Sequence, residues 1–352
     1  MRLEFAPYRL LFKEPSGTSR GVLTEKPTFL IRVYDEKDPS HFGIGEAAVF
    51  PGLSPEADGN YVWKLTELLA NVAIGKPTDL SYHSSIQFGF EQALLDFSNG
   101  CQGIYFPSEF TSGNQSIEIN GLIWMGDFQI MMRRIEEKIH QGFKCIKLKI
   151  GAIDWESELD MIRHIRQSYS ENELMIRVDA NGGFSFSGIM EKLSSLASLG
   201  VHSIEQPIKA GHPDEMAYLC ENTPIPIALD EELIGKNSLE EKTHILDFIK
   251  PQYIILKPAL CGGFSGTSEW IEEAEKRGIG WWITSALESN VGLNAIAQYT
   301  ASIQTKGPQG LGTGHLFTNN FEVPLELKKD RLIFEPSIPF NYKQFNNLKW
   351  HK

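Results

Sequence analysis

The chain has 352 residues, 41% of them hydrophobic and 11% aromatic, which supplies a substantial core and leaves about a hundred residues beyond a barrel of ~250. Its formal net charge of −12 argues against nucleic acid and anionic membrane surfaces as partners. Met1-Arg-Leu-Glu-Phe-Ala has an acid at position 4 and no long apolar core, so no signal peptide is expected, and no apolar run of about 18 residues is present to span a membrane.

In chain order, residues up to about 115 place strands first and helices after. Leu3 to Lys13 and Thr28 to Tyr34 are rich in β-branched and aromatic residues, with the polar segment Glu14-Pro-Ser-Gly-Thr-Ser-Arg20 expected as the loop after the first strand. Phe42 to Ala48 reads as a third strand ending in the loop Val49-Phe-Pro-Gly-Leu-Ser-Pro55. Apolar residues at three- and four-residue spacing predict helices over Tyr61 to Val72 and Ser84 to Phe97, the second stopped by Asn99-Gly100. Strands followed by helices without alternation predict an α+β capping domain over residues 1–116, to which the extended tail 322–352 returns.

From Ile119 strand and helix alternate. Strands are predicted near Leu122 to Met125, Cys145 to Ile150, Ile176 to Asp179, Ser203 to Glu205, Ile227 to Asp230, Tyr253 to Lys257, Trp281 to Thr284 and Gly310 to Gly312. Helical stretches such as Phe128 to Gln141, Trp155 to Ser168, Ser187 to Leu199 and Ser268 to Arg277 lie between them. Eight such strands predict an α/β fold, a (β/α)8-type modified TIM barrel over residues 117–321. No low-complexity linker separates the two domains, so they are expected to pack closely. Cys101, Cys145, Cys220 and Cys261 lack CxxC spacing and sit in apolar stretches, as the buried free thiols of a reduced, cytoplasmic protein do.

The strand ends carry the chemistry. A barrel strand buried on both faces is apolar throughout, so one that ends in a charge is delivering it to the C-terminal rim. Lys147 and Lys149, at i and i+2, point to one face of their strand, and ammonium groups that close lower each other's pKa and free one to act as a base. Solvated lysines on an edge strand are the bland alternative, disfavoured by Ile146, Leu148 and Ile150 beside them. Asp179, Glu205 and Asp230 end the next three strands. Any one could be a helix N-cap, but three in succession, one of them Glu, argue for a shared hard divalent cation. Histidine is missing from these ends, which points to Mg²⁺, with Mn²⁺ able to substitute, rather than zinc. Glu231 and Glu232 read as surface or supporting acids.

Lys257 closes the following strand and faces the lysine pair across the ring. The glycines after it, Gly262 foremost, suggest close approach of backbone to a ligand, although ordinary loop geometry explains them equally. Asn181, Ser285, Gly312 and Thr313 are candidates for substrate contact, with plain turn chemistry as the alternative for the last three. Trp281 and Trp282 read as packing residues. No GxSxG elbow is present and His315 has no assignable partner, so a nucleophilic serine has little support. A cation flanked by lysines is equipment for removing a proton from carbon beside a carboxylate.

The pattern Lys147-x-Lys149, Asp179-Ala-Asn181, Glu205-Gln-Pro207, Asp230-Glu231 and Lys257-Pro258 resembles the muconate-lactonizing-enzyme-like subgroup of the enolase superfamily. Gly43-Ile-Gly-Glu46-Ala-Ala-Val-Phe-Pro-Gly-Leu-Ser-Pro55 is similar to the subgroup's capping domain and active-site loop, so the likeness covers nearly the whole chain. Within the subgroup, Thr284-Ser-Ala-Leu-Glu-Ser-Asn-Val-Gly-Leu293 resembles the o-succinylbenzoate synthase family, dehydratases of menaquinone synthesis. The resemblance implies Asp179, Glu205 and Asp230 as metal ligands and a small-molecule carboxylate as partner. It implies Lys149 as the base that also returns the proton, Lys257 as the enediolate-stabilising ammonium, and Lys147 as an aid to Lys149. Homo-oligomerisation is left open. Dipeptide epimerases carry an Asp-x-Asp after strand eight, where this chain has Gly312-Thr313-Gly314. N-succinylamino acid racemases need no such acid and are the rival reading. A retired, non-catalytic ligand-binding barrel is the alternative from another class, and it would be expected to have lost one of these charged residues.

Overall fold

The computed structural model describes residues 1–18, 21–151 and 153–352. Three antiparallel strands open the chain: β1 (Arg2–Thr18), β2 (Gly21–Asp35) and β3 (Asp38–Ala47), in the order β1-β2-β3. The segment expected as a loop from Glu14 continues instead as strand to Thr18, and its last two residues, Ser19 and Arg20, lie outside the described residues. Turn-forming composition misleads here because a register shift between Leu11 and Ser16 absorbs Pro15, which has no N–H for the ladder, and pairing then resumes to Thr18–Gly21.

Helices α1 (Tyr61–Ala73) and α2 (Ser84–Ser98) cover this sheet, within a residue or two of their predicted spans. Their apolar stripes, Tyr61, Leu65 and Leu69 on α1 with Ile86 and Ala93 on α2, bury Leu3, Phe5, Ile31 and Val33. Strand β3 and helix α2 meet backbone to backbone. A Cβ on Gly45 would lie 2.1 Å from the Gly89 carbonyl oxygen, and one on Gly43 2.2 Å from that of Ala93. Gly45→Ala should therefore destabilise the protein by about 3 kcal/mol, at the upper end for overpacking because the obstacle is backbone, and a denaturant melt measures it. A wild-type midpoint would show that β3 and α2 separate freely.

The chain then forms β4 (Ser116–Glu118) and enters the barrel at β5 (Gly121–Ile123). Alternation follows through α3 (Phe128–His140), β6 (Cys145–Lys149), α4 (Trp155–Ser168), β7 (Met175–Asp179), α5 (Ile189–Ser198) and β8 (Ser203–Glu205). It continues through α6 (Pro213–Asn222), β9 (Ile227–Leu229), α7 (Leu239–Ile249), β10 (Tyr253–Leu256), α8 (Gly263–Lys276), β11 (Gly280–Ile283) and α9 (Asn290–Ser302). Strands β5 to β11 pair in sequence order, all parallel.

The eighth strand, expected over Gly310 to Gly312, is reduced to Gln309 and Gly310. These bridge Ile119 on one side and Thr284 on the other and so close the ring. The Gln309 side chain takes part itself, accepting from the Ile283 N–H at 2.8 Å. Among the described residues no α-helix follows. The chain runs instead into the hairpin β12 (Leu325–Lys328) and β13 (Arg331–Phe334), which pairs with β4. The C-terminus reaches the first sheet, where Phe5 and His351 exchange backbone hydrogen bonds of 2.9 and 2.8 Å.

Alternation along the barrel strands separates two sets of residues. Ile146, Leu148, Ile176, Val178, Ile204, Leu229, Ile254 and Leu256 point outward into the helix layer, the main core. The inward set is partly charged: Lys147 and Lys149, Arg177 and Asp179, Glu205, then Asp230 and Lys257 just past their strands.

Glu46 fastens the first sheet to the barrel. Fully buried, it accepts from Thr28 Oγ1 (2.8 Å), from Ser289 N (3.0 Å) and Oγ (2.5 Å), and from Gly292 N (3.0 Å), the last three at the start of α9. The four cysteines are unpaired, and burial pushes the thiols of Cys145 and Cys261 up to about 11, which keeps them inert. No described helix is long and apolar enough to cross a membrane.

Candidate active site

Because β6 to β10 are neighbours in order, the rim residues form a ring, and Lys257 stands four strands round from Lys149. Lys149 and Asp179 are register partners, as are Asp179 and Glu205, so their side chains meet at one level. Asp179, Glu205 and Asp230 are 0%, 3% and 2% exposed. Lys147 bonds Asp179 Oδ2 at 2.8 Å and also Glu205. Lys149 donates to Asp179 Oδ2 at 2.5 Å and to Asn181 Oδ1 at 2.7 Å, and Lys257 reaches Asp230 Oδ2 at 2.5 Å.

Burial alone would push Lys147 and Lys257 toward neutrality, but the carboxylates prevail. Lys147 is held above its ordinary value by Asp179 and Glu205, and Lys257 by Asp230 and Glu231. The depression expected from the lysine pair therefore does not occur for Lys147 in this arrangement, where it bonds two carboxylates, one of them shared with Lys149. Asp179 is driven down by Lys147 and Lys149 in spite of burial, while burial together with repulsion from Asp179 and Asp230 raises Glu205 well above its usual range.

Among the described residues no three acidic, histidine or cysteine side chains converge as a ready cation cage, since each carboxylate is turned to a lysine. The donor chemistry nevertheless fits a divalent cation. Asp179, Glu205 and Asp230 are hard oxygen donors buried on adjacent strand ends. Glu231 beside them is likewise pushed up, by burial and Asp230, and two acids of one cluster raised in this way mark a site short of positive charge.

Above the cluster lies a pocket of about 790 Å³, its open mouth included, lined by Lys147, Lys149, Asn181, Lys257, Ser285, Gly312 and Thr313 from the predicted set. Phe50 and Leu53 of the expected Val49–Pro55 loop cover it. Glu14 and Pro15, at the start of the Glu14–Arg20 segment, are not among its lining residues. Asn181, in a left-handed conformation (φ 43°), receives the Lys149 bond and donates to Glu231 Oε1 at 3.0 Å, so it orients the lysine. Ser285 sits between Glu288 Oε2 (2.6 Å) and Thr313 Oγ1 (2.8 Å), fixing the pocket wall.

Gly262 does not belong to the pocket. With φ 84° it is the left-handed residue that starts α8, and its lack of a Cβ serves that turn. Sequence reasoning missed Asn120, Leu122, Trp124 and Leu287, which also line the pocket. Leu122 and Trp124 alternate with Ile123 on and just after β5, and that alternation was the available signal.

Comparison with known proteins accords with this geometry. Residues 131–335 match the family model described as "Enolase C-terminal domain-like". The o-succinylbenzoate synthase of Desulfotalea psychrophila is 45% identical over 91% of this chain and 95% of its own. The N-succinyl-L-Arg/Lys racemase of Bacillus cereus is 24% identical over 82% and 80%. The crystal structure of MenC from Desulfotalea psychrophila LSv54 superimposes with a TM-score of 0.83 at 40% identity, covering 95% of this chain and 99% of that one. Muconate lactonizing enzyme from Pseudomonas putida, 22% identical, shares the fold at a TM-score of 0.79 over 99% of each chain. The chain thus belongs to the o-succinylbenzoate synthase family, lyases of the enolase superfamily.

Proposed function

We propose that the protein catalyses the reaction of its family, the syn dehydration of a succinyl-hydroxycyclohexadiene carboxylate to 2-succinylbenzoate in menaquinone biosynthesis, with Mg²⁺ as its cation. The observation that carries this reading is the placement of Lys149 and Lys257 on opposite sides of one buried carboxylate cluster, beneath a pocket whose upper walls are Phe50, Leu53, Leu122 and Trp124. A carbocyclic acid suits such walls, and the 45% identical relative supports dehydration among the reactions the scaffold hosts.

Asp179, Glu205 and Asp230 would hold the cation, which when bound supplies positive charge to the substrate carboxylate as negative charge accumulates there. Lys149 is the base. To serve, it gives up its bond to Asp179 while Asn181 keeps it aimed. It takes the proton α to the carboxylate, then returns it to the hydroxyl leaving from the same face, and the ring aromatises. Lys257, kept protonated by Asp230 and Glu231, stabilises the enediolate charge from the opposite side. Lys147 contacts the substrate carboxylate. Phe50 and Leu53 exclude water.

A racemase begins with the same proton removal, so isotope exchange must separate the two reactions. Racemisation needs Lys257 to deliver a proton to the far face, whereas syn dehydration needs only Lys149. In D₂O an N-succinylamino acid should show slow α-deuteration with inversion while the cyclohexadiene acid is dehydrated quickly. Lys257→Arg keeps the charge but cannot act as a base near neutral pH, so it should retain some dehydration and no racemisation. Fast racemisation with poor dehydration would overturn the assignment of reaction.

A further inference from the structure

The opposite, N-terminal end of the barrel holds a cavity whose chemistry the reaction does not use. Its lining includes Arg177, His202, Tyr253, Trp282 and Lys306. Arg177 lies two residues before Asp179 on β7, so both side chains point into the barrel, one toward each end. It is 5% exposed, and among the described residues no carboxylate lies within ion-pair distance of it. One guanidinium nitrogen donates to the Pro308 carbonyl at 2.8 Å, Cζ lies 4.1 Å from the centroid of the Trp282 ring, and Nε has no hydrogen-bond partner among the described residues. A buried guanidinium without a counter-ion is costly unless something anionic completes it.

The surroundings say what kind of anion. His202, Tyr253 and Trp282 form a continuous aromatic wall, with ring centroids 5.4 Å apart at each step. The exposed Lys306 adds a second positive charge at the mouth. His202 contributes none, because burial and Arg177 hold it down at about 4. The carboxylate Glu275 is also on the rim, where Trp281 Nε1 donates to it at 3.3 Å.

We infer that this basal cavity is a second binding site, for a small organic carboxylate with a flat apolar body. The carboxylate engages the Arg177 guanidinium and the body lies along the aromatic wall. The site is separate from the pocket at the C-terminal rim and stands whatever reaction that pocket performs.

The probe is 4-bromobenzoate, soaked into crystals of the Mg²⁺-loaded enzyme and located by bromine anomalous scattering, then titrated calorimetrically in solution. Bromine density should appear in the basal cavity with the carboxylate on Arg177. Lys306→Glu, a change at an exposed position remote from the lysine and carboxylate cluster, should weaken the measured affinity about tenfold while turnover is unchanged. Arg177→Met should abolish the basal binding, and Lys306→Glu decides the matter if that variant does not fold. Bromine found only at the C-terminal rim, density with no heat in solution, or full affinity in Lys306→Glu would overturn the site. Inorganic phosphate binding as tightly as the aromatic acid would overturn the ligand class.

Discussion

Lys149→Ala should lose dehydration by more than ~10⁴-fold, because the residue is assigned both proton transfers and a single general acid–base contribution is worth ~10²–10⁴-fold. The loss should fall on kcat, as the substrate carboxylate keeps Lys147 and the metal ligands. Structure should survive, since Asp179 retains Lys147 at 2.8 Å and its charge is not left bare. Lys257→Ala should also be severe, through lost electrostatic stabilisation. Near-wild-type rates in Lys149→Ala with none in Lys257→Ala would reverse the two roles.

Chelation should be as damaging and fully reversible. Excess EDTA is expected to reduce turnover by at least ~10³-fold, the equivalent of about 4 kcal/mol of lost charge stabilisation, and Mg²⁺ or Mn²⁺ should restore it. The stripped protein should remain folded, because the three lysines already bond all three carboxylates in the arrangement described. Asp230→Asn should raise the Mg²⁺ concentration needed for half-activity far more than it lowers the melting temperature. Full turnover in excess EDTA would rule out the metal assignment.

The barrel and its charged rim were readable in the sequence for one reason. Period-two alternation leaves Lys147, Asp179 and Glu205 as the polar members of otherwise apolar strands, and a charge there has nowhere to go but inward. Helices α1 and α2 were readable from their apolar spacing. What escaped prediction depends on partners distant in sequence. The eighth strand is two residues long because Gln309 bonds the neighbouring strand with its side chain, which no local pattern reveals. The strand through Pro15 to Thr18 exists because β2 is there to pair with it. Gly262 and Gly312 look alike in sequence, yet one starts a helix and the other lines the pocket. Arg177 went unremarked because it follows the same alternation but points toward the far end.

Glu46 closes off one way in for the substrate. Lifting the first sheet off the barrel would strand a buried carboxylate and the donors at the start of α9, at ~1–3 kcal/mol for each unmet group. The two bodies therefore do not swing apart on each turnover. The short Val49–Pro55 turn beside Glu46 is closed by bonds of its own, Leu53 N and Ser54 N to the Phe50 carbonyl and Phe50 N to Ser54 Oγ, and is anchored by Val49 and Phe50 in the hydrophobic core. Hydrogen exchange should show the seam at Glu46 as a slow-exchanging line, so the enzyme works as one fastened body rather than opening like a clam.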